Sequence, residues 1–386
     1  MDEFQDLTGK TILQVAPELS AGGVERTVLE VTEAVISAGG RALLASKGGR
    51  LEKEVESLGG ELFRMDAKTK NPITLKLNEG KLKRLIEREG VDLVHARSRA
   101  PAWSAYNAAR AMGVPFVTTY HGAYSGKSSL KKKYNSVMAK GDIVIANSQW
   151  IAEHVKAEHG VPDEKIVTIP RGVDLEVFHP IAVAPSRVTA IRQSMGLEND
   201  NRLVLLLPGR LTEWKGQLVA IEALGLLAPE EREKLVLVLA GDAQGRKNYV
   251  TRLEEAVVAN GLDRGVIMSE HITDMPAAYM ASDIVLAPSI RPEAFGRVAA
   301  EASAMCRPVV VTDHGGGRET VIEGETGARV EPGNAQSLAG AIRALISIGE
   351  EARSGMGRAG QLHVRKHFSK RGLQAATLGV YKTLLE

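Results

Sequence analysis

Arg202-Leu203-Val204-Leu205-Leu206-Leu207-Pro208-Gly209-Arg210-Leu211-Thr212-Glu213-Trp214-Lys215-Gly216 is the stretch that decides the fold. After Arg202 the first segment is apolar on both faces and has the length of a strand. That pattern belongs to a parallel sheet covered by helices on each side. Gly209 lets the chain leave the sheet, and Arg210 and Lys215 then place two cations at the mouth of a helix. Such a loop suits a diphosphate. Arginine bonds it through two donors, lysine acts as a point charge, and the helix N-terminus adds partial positive charge. Taken alone, the loop reads equally well as surface whose cations are solvated or paired with Glu213.

Outward from this stretch the same alternation of short apolar runs and helical periods repeats. Upstream runs lie at residues 11–16, 42–45, 61–65, 92–96, 115–120, 142–146 and 166–169, with a helix near 24–37 after the first. Segment 178–185 holds Pro180 and Pro185 and breaks the rhythm. A second series follows at 202–207, 235–240, 266–268, 283–287, 308–312 and 328–331, and a helix at 370–385 comes after it. The alternation specifies α/β, doubly wound, with two Rossmann-like domains, 1–180 and 181–369. Ligands of open parallel sheets bind beyond the carboxyl ends of the strands. Two such domains facing each other would form a cleft lined by both sets of loops.

Composition narrows the function. Of 386 residues 44% are hydrophobic and 25% charged, a soluble globular balance, and a net charge of only +2 gives no global field for nucleic acid. The single cysteine, Cys306, excludes an internal disulfide and a cysteine-based zinc cluster. No signal pattern opens the chain and no apolar run reaches the ~20 residues that span a bilayer. A cytoplasmic protein is expected, with peripheral contact to the inner face of the plasma membrane left open.

Arg291-Pro292-Glu293-Ala294-Phe295-Gly296-Arg297-Val298-Ala299-Ala300-Glu301 follows the run at 283–287. Pro292 and Gly296 turn the chain into a helix running to about Met305, so Glu293 precedes the helix and Glu301 lies nearly two turns in. The amides of Phe295 and Gly296 can donate to a phosphate or a sugar hydroxyl. Glu301 stands on a small, apolar stretch, and a buried carboxylate there needs a ligand or a cation. His121 ends the run at 115–120, where a histidine is often only a satisfied structural group.

The carboxylates Glu293 and Glu301, preceded by the Gly209-Arg210…Lys215-Gly216 loop and followed by Thr326-Gly327 and Pro332-Gly333, closely resemble the retaining glycosyltransferase family 4. Gly22-Gly23-Val24-Glu25, His121-Gly122, Ala146-Asn147-Ser148 and Pro170-Arg171-Gly172-Val173-Asp174 extend the likeness over nearly the whole chain. The resemblance implies the GT-B fold, with residues 370–386 returning to pack on the first domain. It assigns the donor diphosphate to Arg210 and Lys215, the donor-sugar hydroxyls to Glu293, and the ribose to Glu301. Ala294 and Arg297 flank this site, with the amides of Phe295 and Gly296 beside them. Glu270, His271 and Ile272 would border the base, His121 the transferred sugar, and Gly23 the phosphates and the acceptor. His95, Arg97 and Gly22 are the residues placed on the acceptor side.

The chemistry expected is transfer of a hexose from a nucleoside diphosphate sugar, GDP-mannose first and UDP-hexose second. The acceptor is a glycan or glycolipid, as in lipopolysaccharide-core or other cell-surface polysaccharide synthesis. No Asp-x-Asp occurs, so no metal and no cofactor are expected, and Arg210, Lys215 and helix amides substitute for the metal. Lys127 and Lys131-Lys132-Lys133, with Lys76, Lys81, Lys83 and Arg84, are either a solvated face or a footing on an anionic surface. A sugar-nucleotide epimerase of this fold and a non-catalytic sugar-nucleotide-binding protein are the alternatives.

Overall fold

A computed structural model describes residues 5–20, 22–124 and 128–386. Two compact units emerge. The first comprises residues up to Gly172 together with Lys370–Glu386, and the second is Val173–Ser369.

The first unit carries seven strands: β1 Thr11–Val15, β2 Arg41–Ser46, β3 Glu61–Arg64, β4 Leu93–Ala96, β5 Phe116–Tyr120, β6 Ile143–Ala146 and β7 Ile166–Thr168. All pair in parallel, in the order β3-β2-β1-β4-β5-β6-β7. Every residue of β1, β4 and β5 is buried, which explains why these strands show no polar alternation. The helix Lys370–Leu385 belongs here: Leu373, Leu378, Val380 and Tyr381 share a core with Ile12, Val31, Leu93 and Val117. Its Gln374 amide donates to the Glu30 carbonyl at 2.8 Å.

The second unit holds β8 Leu203–Pro208, β9 Leu235–Ala240, β10 Val266–Ser269, β11 Ile284–Ala287, β12 Val309–Thr312 and β13 Gly327–Val330. Their order is β10-β9-β8-β11-β12-β13, again all parallel. Alternate residues of one strand enter different cores. Leu205, Leu207, Leu237 and Leu239 pack under the helices Gln217–Gly225 and Ala335–Ser347, whereas Val204, Leu206, Val236 and Val238 pack with Tyr279, Ala299 and Ala302. The sheet is therefore covered on both faces.

The unit boundary falls at Gly172–Val173, short of the break near residue 180 that the prolines mark. Val173 already belongs to the second unit: its N–H donates to the Phe368 carbonyl at 2.7 Å, and it bridges Ser369 in parallel. No helix among the described residues is long and apolar enough to cross a membrane.

Candidate functional site

Each sheet reverses its winding once, between β1 and β4 and between β8 and β11, and in such sheets ligands enter at the reversal. Gly22 and Gly23 follow β1, Arg97 follows β4, Arg210 and Lys215 follow β8, and Glu293 to Gly296 follow β11. By contrast, His95 lies within β4, His121 follows β5, His271 and Ile272 follow β10, and Arg297 and Glu301 lie in the helix after β11.

In the second unit, the loop after β8 makes a short turn at Glu213–Lys215 before its helix. Gly216 adopts φ 79°, and a Cβ there would lie 2.1 Å from the Pro288 carbonyl, so only glycine lets the β8 and β11 loops close on each other. That contact brings Lys215 to Glu293, 78 residues away: Nζ donates to Oε1 at 2.6 Å. Ser289 Oγ donates to the same oxygen at 2.5 Å, while the Ser289 carbonyl accepts from Thr312 Oγ1 and His314 Nε2. Lys215 also sits 4.5 Å from the Trp214 ring centroid. Glu213 pairs with Arg252 instead. Arg210 is exposed, and among the described residues no carboxylate lies against its guanidinium.

The loop after β11 enters the helix Arg297–Ala304 through Gly296, at φ 95°, where a Cβ would meet the Gly317 Cα at 2.7 Å. The helix starts later than its sequence suggests, so Glu301 lies one turn in rather than nearly two. It is 8% exposed and has protein partners: Tyr279 Oη donates to Oε2 at 3.1 Å, and Arg297 Nη1 stands 3.5 Å from Oε1. Burial, then the neighbouring carboxylate, pushes the Tyr279 phenol well above its ordinary value, so it remains a donor. Arg297 Nη2 is buried without a hydrogen-bond partner among the described residues. Phe295 packs edge-on against Phe368, which leaves its backbone amide as the group it can offer. Ala294 is partly buried beside it. His271 is exposed, but Ile272 is not free to border a base with its side chain, which is buried in the core with Val236 and Val238.

In the first unit, Gly22 and Gly23 open the helix Gly23–Ser37 after β1, and His121 follows β5 directly. Arg171, beyond β7, donates from Nη1 to the Gly23 carbonyl and to Thr27 Oγ1, and from Nη2 to His121 Nδ1 at 3.1 Å. His95 has no ring nitrogen left for an acceptor. Tyr381 Oη lies 2.6 Å from Nδ1 and Thr119 Oγ1 2.7 Å from Nε2. Arg97 is 1% exposed, with Nη1 3.3 Å from both His95 nitrogens, and its Nε and Nη2 lack partners among the described residues. Burial holds His95 well below its ordinary pKa, with Arg97 adding to the effect, and burial also lowers Arg97.

Of the surface cations, Lys76 and Lys83 both bond Glu79, pulling its carboxyl down to about 2, and Lys132 stands 3.4 Å from Glu158. Lys131 and Lys133 are exposed, and Lys127 lies outside the described residues.

Residues 21–177 match the family described as Glycosyltransferase Family 4, and residues 189–363 that described as Glycosyl transferases group 1. A D-inositol 3-phosphate glycosyltransferase of Xylanimonas cellulosilytica is 30% identical over 305 residues, covering 75% of this chain and 71% of its own. A crystal structure of a glycosyltransferase from Rickettsia africae superposes with a TM-score of 0.89 at 34% identity, over 98% of this chain and 99% of that one. The chain belongs to glycosyltransferase family 4. Its two Rossmann-like units match the GT-B architecture, and the structure of Anabaena HepE in complex with UDP superposes on the chain with a TM-score of 0.83 at 24% identity, over 97% of this chain and all of that one.

For this glycosyltransferase, reading the sequence missed Ser289, Asn147 and Arg171 as site neighbours. Asn147 stands immediately beyond β6 and Arg171 just beyond β7, the position where open sheets bind ligands. That placement was the available signal. Ser289 had none, because its relation to Glu293 depends on how the loop folds back.

Proposed function

We propose that the protein is a retaining, metal-independent hexosyltransferase that moves a hexose from a nucleoside diphosphate sugar to a glycan or glycolipid acceptor. GDP-mannose is the first donor and UDP-hexose the second. The observation that carries this reading is the Lys215–Glu293 pair at the β8/β11 reversal, with Arg210 exposed on the same loop as Lys215. Without ligand the two charges neutralise each other. A diphosphate draws Lys215 and Arg210 to its oxygens and frees Glu293 to accept hydroxyl hydrogen bonds from the sugar, while Glu301 takes the ribose. As the C1–O bond breaks, charge builds on the β-phosphate. Preorganised donors there contribute roughly 3–4 kcal/mol each when water is excluded. Attack from the leaving-group face retains configuration, and the departing phosphate oxygen takes the acceptor's proton.

A phosphorylated polyol is the second acceptor reading. It is favoured by the names of the inositol 3-phosphate relatives and by the unpartnered donors of Arg97.

The test is thermal melting against GDP, UDP, ADP and their hexose conjugates, with and without EDTA. A ligand at 100 times its Kd adds about 2.7 kcal/mol. One nucleotide series is expected to stabilise the protein, equally in EDTA, and Lys215→Ala to abolish the shift. Folded protein that ignores every nucleotide would sink the reading, and a shift or turnover lost in EDTA would sink its metal-independent part.

A further inference from the structure

Arg171 reaches two loops at once. Its Nη1 donates to the Gly23 carbonyl and Thr27 Oγ1, and its Nη2 to His121 Nδ1. We infer that Arg171 is a positioning residue that holds His121 as a neutral imidazole with its proton on Nε2, locked in place through the N-terminus of the helix Gly23–Ser37. The catalytic value of this arrangement rests on the reading of His121 as a contact to the transferred sugar.

The chemistry of the pair leaves one arrangement. A guanidinium has five donors and no acceptor, so the His121 nitrogen facing it must present its lone pair. The single proton of the neutral ring is then on Nε2. A second proton on Nδ1 would set N–H against N–H at 3.1 Å. The guanidinium cannot swing aside freely, because Thr27 Oγ1 also donates to the Gly23 carbonyl at 2.8 Å and closes the other end of the clamp. Gly23 is part of the same device: a Cβ there would lie 2.7 Å from Arg171 Nη1 and 3.2 Å from Cζ. Any side chain at residue 23 therefore displaces the group that faces His121.

The surroundings act in the same direction. Among the described residues, the titratable and charged groups facing His121 are Arg171, Arg97, His95 and Tyr124: two cations, an imidazole and a phenol whose proton is retained by burial. Burial comes first and the cations next in disfavouring a charged ring. Nε2 is out of contact with solvent and unpartnered among the described residues, and it lines the same cavity as Arg97 and Asn147. His121 is thereby a hydrogen-bond donor to an oxygen entering from that side. It is not a general base, since its lone pair is occupied by Arg171.

The test uses the full ligand-free chain labelled with 15N-histidine, with long-range proton–nitrogen correlation spectra from pH 5.5 to 7.5. His121→Ala identifies the signals. The wild type is expected to show the Nε2–H tautomer throughout. In Arg171→Met, Nδ1–H and the doubly protonated ring are expected to appear within this range, and Gly23→Ala should reproduce the change although Gly23 bears no side chain near the ring. Nucleotide release from GDP-mannose and UDP-glucose is the second readout. Arg171→Met is expected to lose about 10- to 100-fold in kcat/KM and to gain an acid limb absent from the wild type, with Arg171→Lys recovering part of both. Unchanged His121 signals in Arg171→Met and Gly23→Ala would overturn the inference. So would a turnover loss with no new acid limb, which marks Arg171 as a structural strut. Turnover surviving in His121→Ala, while the ring of the wild type shows the Arg171-dependent tautomer, would remove the sugar contact and leave the positioning intact. If Arg171→Met does not fold, Arg171→Lys and Gly23→Ala carry the comparison.

Discussion

Glu301 shows how far a single residue can be read. A carboxylate on a small, apolar helix demands a partner, and that demand is visible in Val298-Ala299-Ala300-Glu301-Ala302. The identity of the partners is not: Arg297 is one turn back, but Tyr279 comes from another helix, 22 residues away. The same limit applied to Lys215 and Glu293, which only the close approach at Gly216 brings together. Replacing Glu301 by Gln keeps the shape and a hydrogen bond to Tyr279 but leaves Arg297 without a counter-charge. A loss of about 1–3 kcal/mol is expected in urea unfolding, with Tyr279→Phe costing about 1 kcal/mol. If Glu301 also holds the ribose, its Gln variant binds nucleotide more weakly by more than its stability loss explains, which titration calorimetry reads directly. At Gly296, Ala is opposed by φ 95° and by the Gly317 backbone at 2.7 Å, so about 1–3 kcal/mol of strain is expected in the same experiment.

The central strands were legible because burial on both faces removes the polar residues that would otherwise blur a strand, and the partly exposed β3, β7 and β10 followed from the spacing of the series. All thirteen strands stand within a residue or two of the apolar runs, from Thr11–Val15 to Gly327–Val330. What the apolar pattern alone could not express, and the family resemblance supplied, is which core an element joins when it is the last one added. Lys370–Leu385 follows the second sheet in sequence, yet it buries Leu373, Leu378, Val380 and Tyr381 in the first unit's core and bonds His95 through Tyr381. Each such side chain contributes about 1.5–3 kcal/mol by burial, so removing all of them rivals the ~5–15 kcal/mol that stabilises a domain. Deleting residues 370–386 is therefore expected to abolish the cooperative melting of the first unit and leave it open to protease. Retention of a wild-type melt would show that the helix is dispensable. Tyr381→Phe, by contrast, removes one buried hydrogen bond and should lower stability by only about 1 kcal/mol.

At the scale of the whole molecule the two units differ in how they meet acid. His95 and His121, both in the first unit, are held well below 6.5 by burial and by Arg97, with Arg171 acting on His121 first among the charges. His154 and His159 are shifted in the same sense by partial burial. Their folded forms stay neutral where the unfolded chain takes up protons, so the unfolded state binds more protons below about 6.5. The stability these groups contribute is complete above that value and falls as the pH drops toward their folded pKa. Each buried ring loses up to about 1.4 kcal/mol per pH unit in that window. Between pH 7.5 and 5.5 the neutral His95 and His121 therefore lower the stability of the first unit. The second unit's counterpart is His363, half-buried and facing Glu325 as well as His367, and it contributes less. The tryptophans separate the two responses, since Trp103 and Trp150 lie in the first unit and Trp214 in the second. Fluorescence melting of Trp214→Phe should follow the first unit alone and shift to lower temperature between pH 7.5 and 5.5. A double Trp103→Phe, Trp150→Phe variant, reporting the second unit, should move much less. Equal shifts in both reporters would mean that the neutral histidines of the first unit do not set the acid response.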